Sequence, residues 1–543
     1  MENEKIRIIA KQTDLHPKIV ELLIRRGFTS IEDIDLFVNT NINMLNTVLE
    51  YDILKNVVKF ILDCLTAGYK VIVYADADMD GISSAAIIYR VISSINSHIE
   101  VILPEKVFSS YGINFKLFDE KVDNKTLLVF LDVGTSDIIE LGRLQKKTGC
   151  VIVVIDHHEK LSGENKDIAL FNPKCFDIEV LLPLTSASLS LLVAISLLSN
   201  IPNEEREIII LELIEFATLG IVADLGKLLG VNRTIVKLGL QSLTNPVVKS
   251  LQYLLKNEIK LFNEINIKSL AFKVIPLLNA CCRMGYPRYA FDFLIEKNME
   301  KIKKYSQILI QYNESRKVEE QKIFDSIDDN DKNYIVVYNE NWHPGILSSV
   351  ATRIAMNTNK PTVIMTKVED CWKGSARFPN GNILQILESL SDNLIKFGGH
   401  KQACGFEVKP TKFHDFLHKL NNIMDSIKVV ECDTAPEIEI ELEDIDTNFI
   451  KGLKKLEPFG MGNPVPIFKL KRSNIYSIDE SEDEITIFLY SNAKILKGVA
   501  KKKLKNKLIS TNILENVVCK IYYTNFNENF VENEFYLEIL DVQ

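Results

Sequence analysis

No two of the nine cysteines form a Cys-x-x-Cys pair, nine is an odd number, and Cys281 and Cys282 are adjacent. That usage excludes a zinc ribbon and a disulfide framework and fits a reducing compartment, so a cytoplasmic location is the expectation. Long apolar stretches are missing too. The longest uncharged one, Leu184 to Ser199, is Ser-rich and shorter than the roughly 20 residues of a bilayer span. Met1-Glu2-Asn3-Glu4-Lys5 carries acids and is not succeeded by the apolar core of a signal peptide. Neither a membrane span nor a leader is expected. An excess of positive charge is also absent: 64 Lys plus Arg stand against 73 Asp plus Glu, for a net charge of −9. Contact with a polyanion must therefore come from local patches. The sequence holds no repeat of fixed period.

What is present is ordinary globular material. The chain has 543 residues, 46% of them apolar and 25% charged, which at about 150 residues per domain implies three to four domains. The first 45 or so residues read as short helices that cap the segment after them. From Tyr51 to about Leu243, short apolar runs (Val71–Tyr74, Ile99–Leu103, Leu127–Leu131, Val151–Ile155) alternate with amphipathic stretches, the rhythm of α/β units around a buried parallel sheet. Between Tyr286 and Asp329 a charged stretch of helical period predicts one long connecting helix. A second α/β pattern starts at Tyr334–Tyr338, passes Pro361–Met365 and ends in Phe397-Gly398-Gly399-His400. After about Glu431 the pattern changes to short alternating strands (Glu437–Leu442, Ile485–Tyr490, Phe535–Ile539), which predicts a small β-barrel.

The chemistry gathers at the ends of the apolar runs. Asp76, Asp78 and Asp80 come after Val71–Tyr74 at spacing two, which in an extended chain puts three carboxylates on one side, and Gly81 then breaks the strand before a helix. Leu127–Leu131 ends in Asp132 with Gly134 beyond, Val151–Ile155 ends in Asp156-His157-His158, and Leu219–Ala223, read as a further strand, ends in Asp224. One Asp at a strand end is ordinarily a turn or helix-cap residue; four such coincidences on one sheet edge need a counterion. Open α/β sheets bind ligands at that edge. Divalent cations would keep so many carboxylates ionised, and two of them would bring the site near neutrality and ready for a phosphodiester. A histidine in an oxygen set moves the preference from Mg²⁺ toward Mn²⁺.

In order and spacing these motifs resemble those of the DHH phosphoesterases. Tyr111-Gly112, Asn172-Pro173-Lys174, Asn232-Arg233, Asn279–Arg283, His343–Ile346, Gly374–Arg377, Phe397–His400 and Pro458–Pro464 narrow the resemblance to the RecJ single-strand exonucleases. The resemblance runs from about residue 20 to the end. It implies a helical cap (1–48), a parallel-sheet DHH domain (49–245), a helical connector (246–330), a second α/β, DHH-associated domain (331–430) and a barrel of OB type (431–543). It also implies two divalent cations, Mn²⁺ preferred and Mg²⁺ possible. One would lie on Asp80, Asp132, His157 and Asp224 and the other on Asp76, Asp78 and Asp132, with Asp132 bridging. Asp132, Asp156 and His158 would carry catalysis, His158 facing the scissile phosphate. Arg283, Ser375, Arg377 and His400 would meet the DNA backbone.

The implied activity is 5′-to-3′ hydrolysis of single-stranded DNA to 5′-mononucleotides in repair or recombination, by a monomer, with a single-strand-binding protein or helicase as candidate partners. A DHH enzyme for short oligoribonucleotides or cyclic dinucleotides, and a silent DHH scaffold, are the rivals. The terminal barrel argues against the first and the complete acid set against the second. Ala77, Lys227 and Leu184–Ser188 depart from the family pattern without costing a ligand. The seven lysines between Lys494 and Lys507 read either as a phosphate-tracking strip or as a solvated run balancing Asp479–Glu484.

Overall fold

The computed structural model describes residues 2–95, 98–105, 113–118, 120–159, 167–200, 203–261, 265–327, 332–427, 435–481, 484–491, 494–509, 512–523 and 535–542. Tyr111-Gly112 lies outside them. The chain forms two compact units, one of residues 43–226 and 238–432, the other of residues 1–42, 227–237 and 433–543.

The larger unit holds two sheets. The first is all parallel, with β1 (Lys70–Ala75), β2 (Ile99–Ile102), β3 (Thr126–Leu131), β4 (Val151–Ile155) and β5 (Ala169–Phe171) in the order β2-β1-β3-β4-β5. Both faces of β1, β3 and β4 are buried, which is why these strands read as unbroken apolar runs rather than alternations. The second sheet has β6 (Ile335–Tyr338), β7 (Thr362–Val368), β8 (Cys371–Arg377), β9 (Leu394–His400) and β10 (Ala403–Val408) in the order β6-β7-β8-β10-β9, and only the β6–β7 pair is parallel.

The structure departs from the sequence reading at three places. Leu219–Ala223 is not a strand: it is the last turn of the helix Asn203–Ala223. Periodicity alone cannot separate a five-residue apolar run in a buried helix from a buried strand. Asp80 lies not in extended chain but in the first turn of the helix Met79–Ile95. The connector is two helices, Pro287–Ile295 and Met299–Phe324, because Asn298 restarts the helix by accepting hydrogen bonds from the Glu300 and Lys301 N–H groups at 3.0 and 3.2 Å.

In the smaller unit, β12 (Phe468–Glu480), β13 (Glu484–Ser491), β14 (Lys494–Lys501), β15 (Ile513–Tyr523) and β16 (Phe535–Val542) close into a barrel through the β12–β15 pairing, and β11 (Ile438–Ile440) adds in parallel to β12. The amino-terminal helices contribute Ile19, Leu22, Leu23 and Phe37 to one core with Phe449, Ile450 and Phe468 of this unit. Buried Arg233 ties the pieces together, donating to the carbonyls of Phe37, Lys455 and Glu457 and stacking on the Phe37 ring. Among the described residues, no helix is long and apolar enough to cross a membrane.

Candidate functional site

Three neighbouring strand ends build one acidic wall. The backbone ladder continues one residue past β1, β3 and β4: the N–H groups of Asp76, Asp132 and Asp156 donate to Leu131, Ile155 and Phe171 at 3.2, 3.0 and 3.2 Å. The three loops therefore leave the sheet in register. Asp132 adopts φ +60, a left-handed conformation that Asp tolerates better than most residues. Gly81 is required by space, since a Cβ there would lie 2.4 Å from the Asp76 carbonyl oxygen. Gly220 gives the same clearance on the opposite side, 2.8 Å from Asp80 Oδ1.

These loops bring the sequence-read acids together. Donor atoms of Asp76, Asp78 and Asp132, those of Asp80, His157 and Asp224, and those of Asp132, His157 and His158 each lie within 4.8 Å of one another. His157 Nε2 stands 3.4 Å from Asp132, 3.8 Å from Asp80 and 3.7 Å from Asp224. Asp224 reaches this group from just beyond a helix end.

The sequence reading did not find what orients the acids. The Ser186 and Ala187 N–H groups, at the start of the helix Ser186–Leu197, donate to the two oxygens of Asp80 at 2.9 and 3.0 Å, and Ser186 Oγ donates to Asp132 Oδ1 at 3.0 Å. Anion capture at a helix start is the physical reason. Asp78 caps its own helix by accepting from the Asp80 and Gly81 N–H groups. Asp156 is buried and accepts from the N–H groups of Thr135, His157 and His158, while its Oδ1 lies 2.7 Å from His158 Nδ1. Asn172 braces this corner by donating to Thr135 Oγ1 and the His158 carbonyl.

Electrostatics separates the acids into two kinds. Burial, then repulsion from Asp80 and Asp78, pushes the Asp132 carboxyl well up. Burial and Asp80 push Asp224 up to about 7, against the pull of His157. Burial would raise Asp156 as well, but the His158 hydrogen bond and charge and the Thr135 contact outweigh it and hold Asp156 far below the ordinary carboxylate range. Burial works against charge on His158, and Asp156 and Asp132 overcome it, raising the imidazole to about 9. Crowded carboxylates that their own surroundings drive toward protonation, with one ring nitrogen among them, are the donor set of a divalent cation site.

A cleft of about 680 Å³ opens from this wall, with Ala77, Ser136 and His158 on one side and the second sheet on the other. Cys404, Phe406 and Val408 of β10 point into a core, so Ala403, Gly405 and Glu407 point the other way. The register across β8, β10 and β9 then sets three rows: Arg377, Ala403 and His400; Ser375, Gly405 and Gly398; Lys373, Glu407 and Lys396. The middle row is nearly bare backbone, and successive rows are about 7 Å apart. Arg377 donates to Ser348 Oγ at 2.6 Å, Thr352 Oγ1 at 2.9 Å and Ser375 Oγ at 3.0 Å. Buried Glu407 stands 3.9 Å from both Lys373 and Lys396. Arg283, on the last turn of the helix Ile275–Arg283, also lines the cleft, and among the described residues its guanidinium has no hydrogen-bond partner. Arg283, Ser375, Arg377 and His400 are thus brought to one cleft. Lys373, Lys396 and Glu407 were missed, although a Glu alternating with Cys404, Phe406 and Val408 is a signal of a second, polar sheet face.

On the barrel, Tyr490 of β13 is paired across strands with Ile495 of β14, and Phe488 with Lys497. Tyr476, Tyr490 and Ile495 are exposed. Lys502 and Lys505 pair with Glu480, and Lys507 with Asp541, so these members of the lysine run are balanced at the surface.

Residues 70–221 match the DHH family, N-terminal domain, residues 331–426 the DHHA1 domain, and residues 437–529 the RecJ OB domain. A parallel sheet with acids at its edge, in a chain with these matches, has the modules of the DHH family. Within it, the module order is of the RecJ type. The single-stranded-DNA-specific exonuclease RecJ of Bacillus subtilis is 27% identical over 484 residues, 86% of this chain and 60% of that protein. The RecJ of Thermus thermophilus is 24% identical over 472 residues, 86% of this chain and 67% of that protein. The chain thus spans about three fifths of the length of the Bacillus relative. A crystal structure of Thermus thermophilus RecJ in complex with Mn²⁺ shares the fold, with a TM-score of 0.82, 21% identity, and coverage of 99% of this chain and 78% of that one.

Proposed function

We propose that the protein is a divalent-cation-dependent exonuclease that hydrolyses single-stranded DNA from its 5′ end to 5′-mononucleotides, in DNA repair or recombination. The observation that carries this reading is the convergence of three metal-capable groups, two of them sharing Asp132, at the mouth of a cleft whose far side is cationic. Asp80, Asp132, His157 and Asp224 would hold one cation, and Asp76, Asp78 and Asp132 a second, with Mn²⁺ preferred over Mg²⁺ because of the imidazole. Two such ions, when bound, activate water and neutralise charge on the phosphoryl oxygens.

The side chains do the rest. Asp80 is held by the Ser186 and Ala187 N–H groups, so the ligand set is oriented in advance. His158, fixed through Nδ1 by Asp156, leaves Nε2 for the scissile phosphate. Arg377, Ser375, His400 and Arg283 take the phosphate of the strand's end, the bare Gly398–Gly405 row seats the sugar and base, and Lys373 and Lys396 track the backbone onward. Exposed Tyr476 and Tyr490, with half-buried Phe488 beside Lys497, form a stacking surface for single-stranded bases on the barrel. The Bacillus and Thermus relatives are single-stranded-DNA-specific, which favours that substrate here too. The setting is cytoplasmic and the protein monomeric, with a single-strand-binding protein or a helicase as the partner class.

The test is single-stranded DNA labelled at either end and incubated with Mn²⁺, Mg²⁺ or chelator. Immediate release of a labelled mononucleotide from the 5′ end, only with a divalent cation, is expected. Release from the 3′ end first, or release in chelator, refutes the reading.

A further inference from the structure

Behind the cationic side of the cleft lies a buried charge, bonded to Arg316 and Ser349. Glu320, on the helix Met299–Phe324, is 6% exposed. One turn earlier on the same helix, Arg316 forms an ion pair with it, both side chains almost fully buried. A buried pair of this kind costs desolvation that its Coulomb attraction offsets only with further hydrogen bonds. The further bonds are present. Asn313 accepts from Arg316 at 2.9 Å, and Ser349 Oγ donates to Glu320 Oε1 at 2.9 Å.

Both ends of this network reach the cationic side of the cleft. Ser349 lies in the first turn of the helix Leu347–Thr358, next to Ser348, whose Oγ accepts from Arg377, and one turn before Thr352, which also accepts from Arg377. On the other side, the helix Ile275–Arg283 packs on the helix Met299–Phe324, and burial, then the charge of Arg316, draws the Arg283 guanidinium below its ordinary value while Glu320 acts the other way. The Arg283 carbonyl is packed against Gly345, where a Cβ would come within 1.8 Å of its oxygen, so this helix start cannot shift away from Arg283 without opening the junction.

We infer that Glu320 is a positioning residue for recognition of a terminal phosphate: it neutralises Arg316 so that Arg283 stays available, and through Ser349 it fixes the helix that aims Arg377. The inference rests on the proposed reading of the cleft as the seat of the strand's 5′ phosphate. It assigns Glu320 no contact with substrate. Loss of the Glu320 charge frees Arg316 to compete for that phosphate or to repel Arg283, and weakens the bond from Ser349, because a neutral amide oxygen accepts less strongly than a carboxylate.

The experiment measures equilibrium binding, by fluorescence anisotropy in chelator, of full-length protein to oligodeoxythymidylate carrying either a 5′ phosphate or a 5′ hydroxyl. Turnover plays no part in it, so failure of the hydrolytic reading shows in the cleavage assay and not here. Wild type is expected to prefer the phosphorylated strand. Glu320→Gln is expected to cut that preference about tenfold through weaker binding of the phosphorylated strand alone. Ser349→Ala, which removes the hydroxyl that ties Glu320 to the second helix and also lies 2.8 Å from the Ile346 carbonyl, is expected to cut it about threefold. A merely structural Glu320 would lower Tm and weaken both strands equally. An unchanged preference in Glu320→Gln overturns the inference whatever happens to overall affinity, and so does a wild type that binds both strands alike.

Discussion

The two sides of the cleft are fixed by different means. On the acidic side the carboxylates are held largely by backbone: Asp80 by the Ser186 and Ala187 N–H groups, Asp78 by those of Asp80 and Gly81, and Asp156 by those of Thr135, His157 and His158. On the cationic side the groups are held by other side chains on a sheet face: Arg377 by Ser348, Thr352 and Ser375, and Lys373 and Lys396 by Glu407. Backbone donors cannot change rotamer, so the first arrangement suits ligands whose geometry is set by a small cation. Long side chains can track a phosphate that advances after each cut, which suits the second. The acidic side should therefore fail steeply when altered and the cationic side by degrees.

The steepest failure belongs to Asp132, which shares donor atoms with both His157 and the Asp76–Asp78 pair. Asp132→Ala should lower kcat on single-stranded DNA by about 10³-fold or more, at least about 4 kcal/mol of transition-state stabilisation, with the fold retained. Steady-state cleavage with circular dichroism as the folding control checks this. Turnover within about tenfold of wild type would dissolve the contrast between the two sides.

Ser186 is the next test, because it reaches the same carboxylate only through a hydrogen bond. Ser186→Ala should raise the Mn²⁺ concentration for half-maximal activity by about 10- to 100-fold, with kcat largely recovered at saturating metal. A metal titration of cleavage rate reads it. Failure to recover at high Mn²⁺ would mean that Ser186 does more than orient Asp132.

Arg377→Lys addresses the other side. Lysine keeps the charge but cannot reach Ser348, Thr352 and Ser375 together, so KM for a 5′-phosphorylated strand should rise about tenfold at nearly constant kcat. If kcat falls instead with KM unchanged, the residue works at the chemical step and the two sides do not divide in this way.

The same contrast explains what the sequence made legible. Asp76, Asp132, Asp156 and His157 come after apolar runs that belong to one parallel sheet, so position in the chain almost dictates position in space. Asp224 was found for a partly wrong reason, since its apolar lead-in is a helix end. Ser186 was invisible as a functional residue, because a helix start 54 residues from Asp132 carries no local mark of what it caps. The cationic side was read only in fragments. Its rows arise from antiparallel register among three strands, and register is set by turns and tertiary packing rather than by any one segment. For the same reason the amino-terminal helices gave no sign in their own pattern that Ile19 and Phe37 join a core with Phe468. An apolar stripe tells that a helix is covered, not by what.

The smallest expected effect concerns the Asp156–His158 pair, in which a side-chain contact adds to the backbone donors. His158 is raised to about 9, so its pairing with Asp156 contributes fully below the unfolded histidine value of about 6.5 and is lost as pH rises through 9. Asp156 is lowered, so its share is present above about 4 and is lost on further acidification. Water screens an imidazole whose side chain is 49% exposed, which leaves about 1 kcal/mol, or about 2 °C in Tm. In chelator, the wild-type Tm should therefore decline between about pH 6.5 and 9 by about that much more than the Tm of His158→Asn. The arginines opposite hold their charge across this range, so Arg377→Lys should leave the slope of Tm against pH unchanged. Equal slopes in wild type and His158→Asn would remove the Asp156–His158 pair as a stabilising contact and leave Asp156 to its backbone donors.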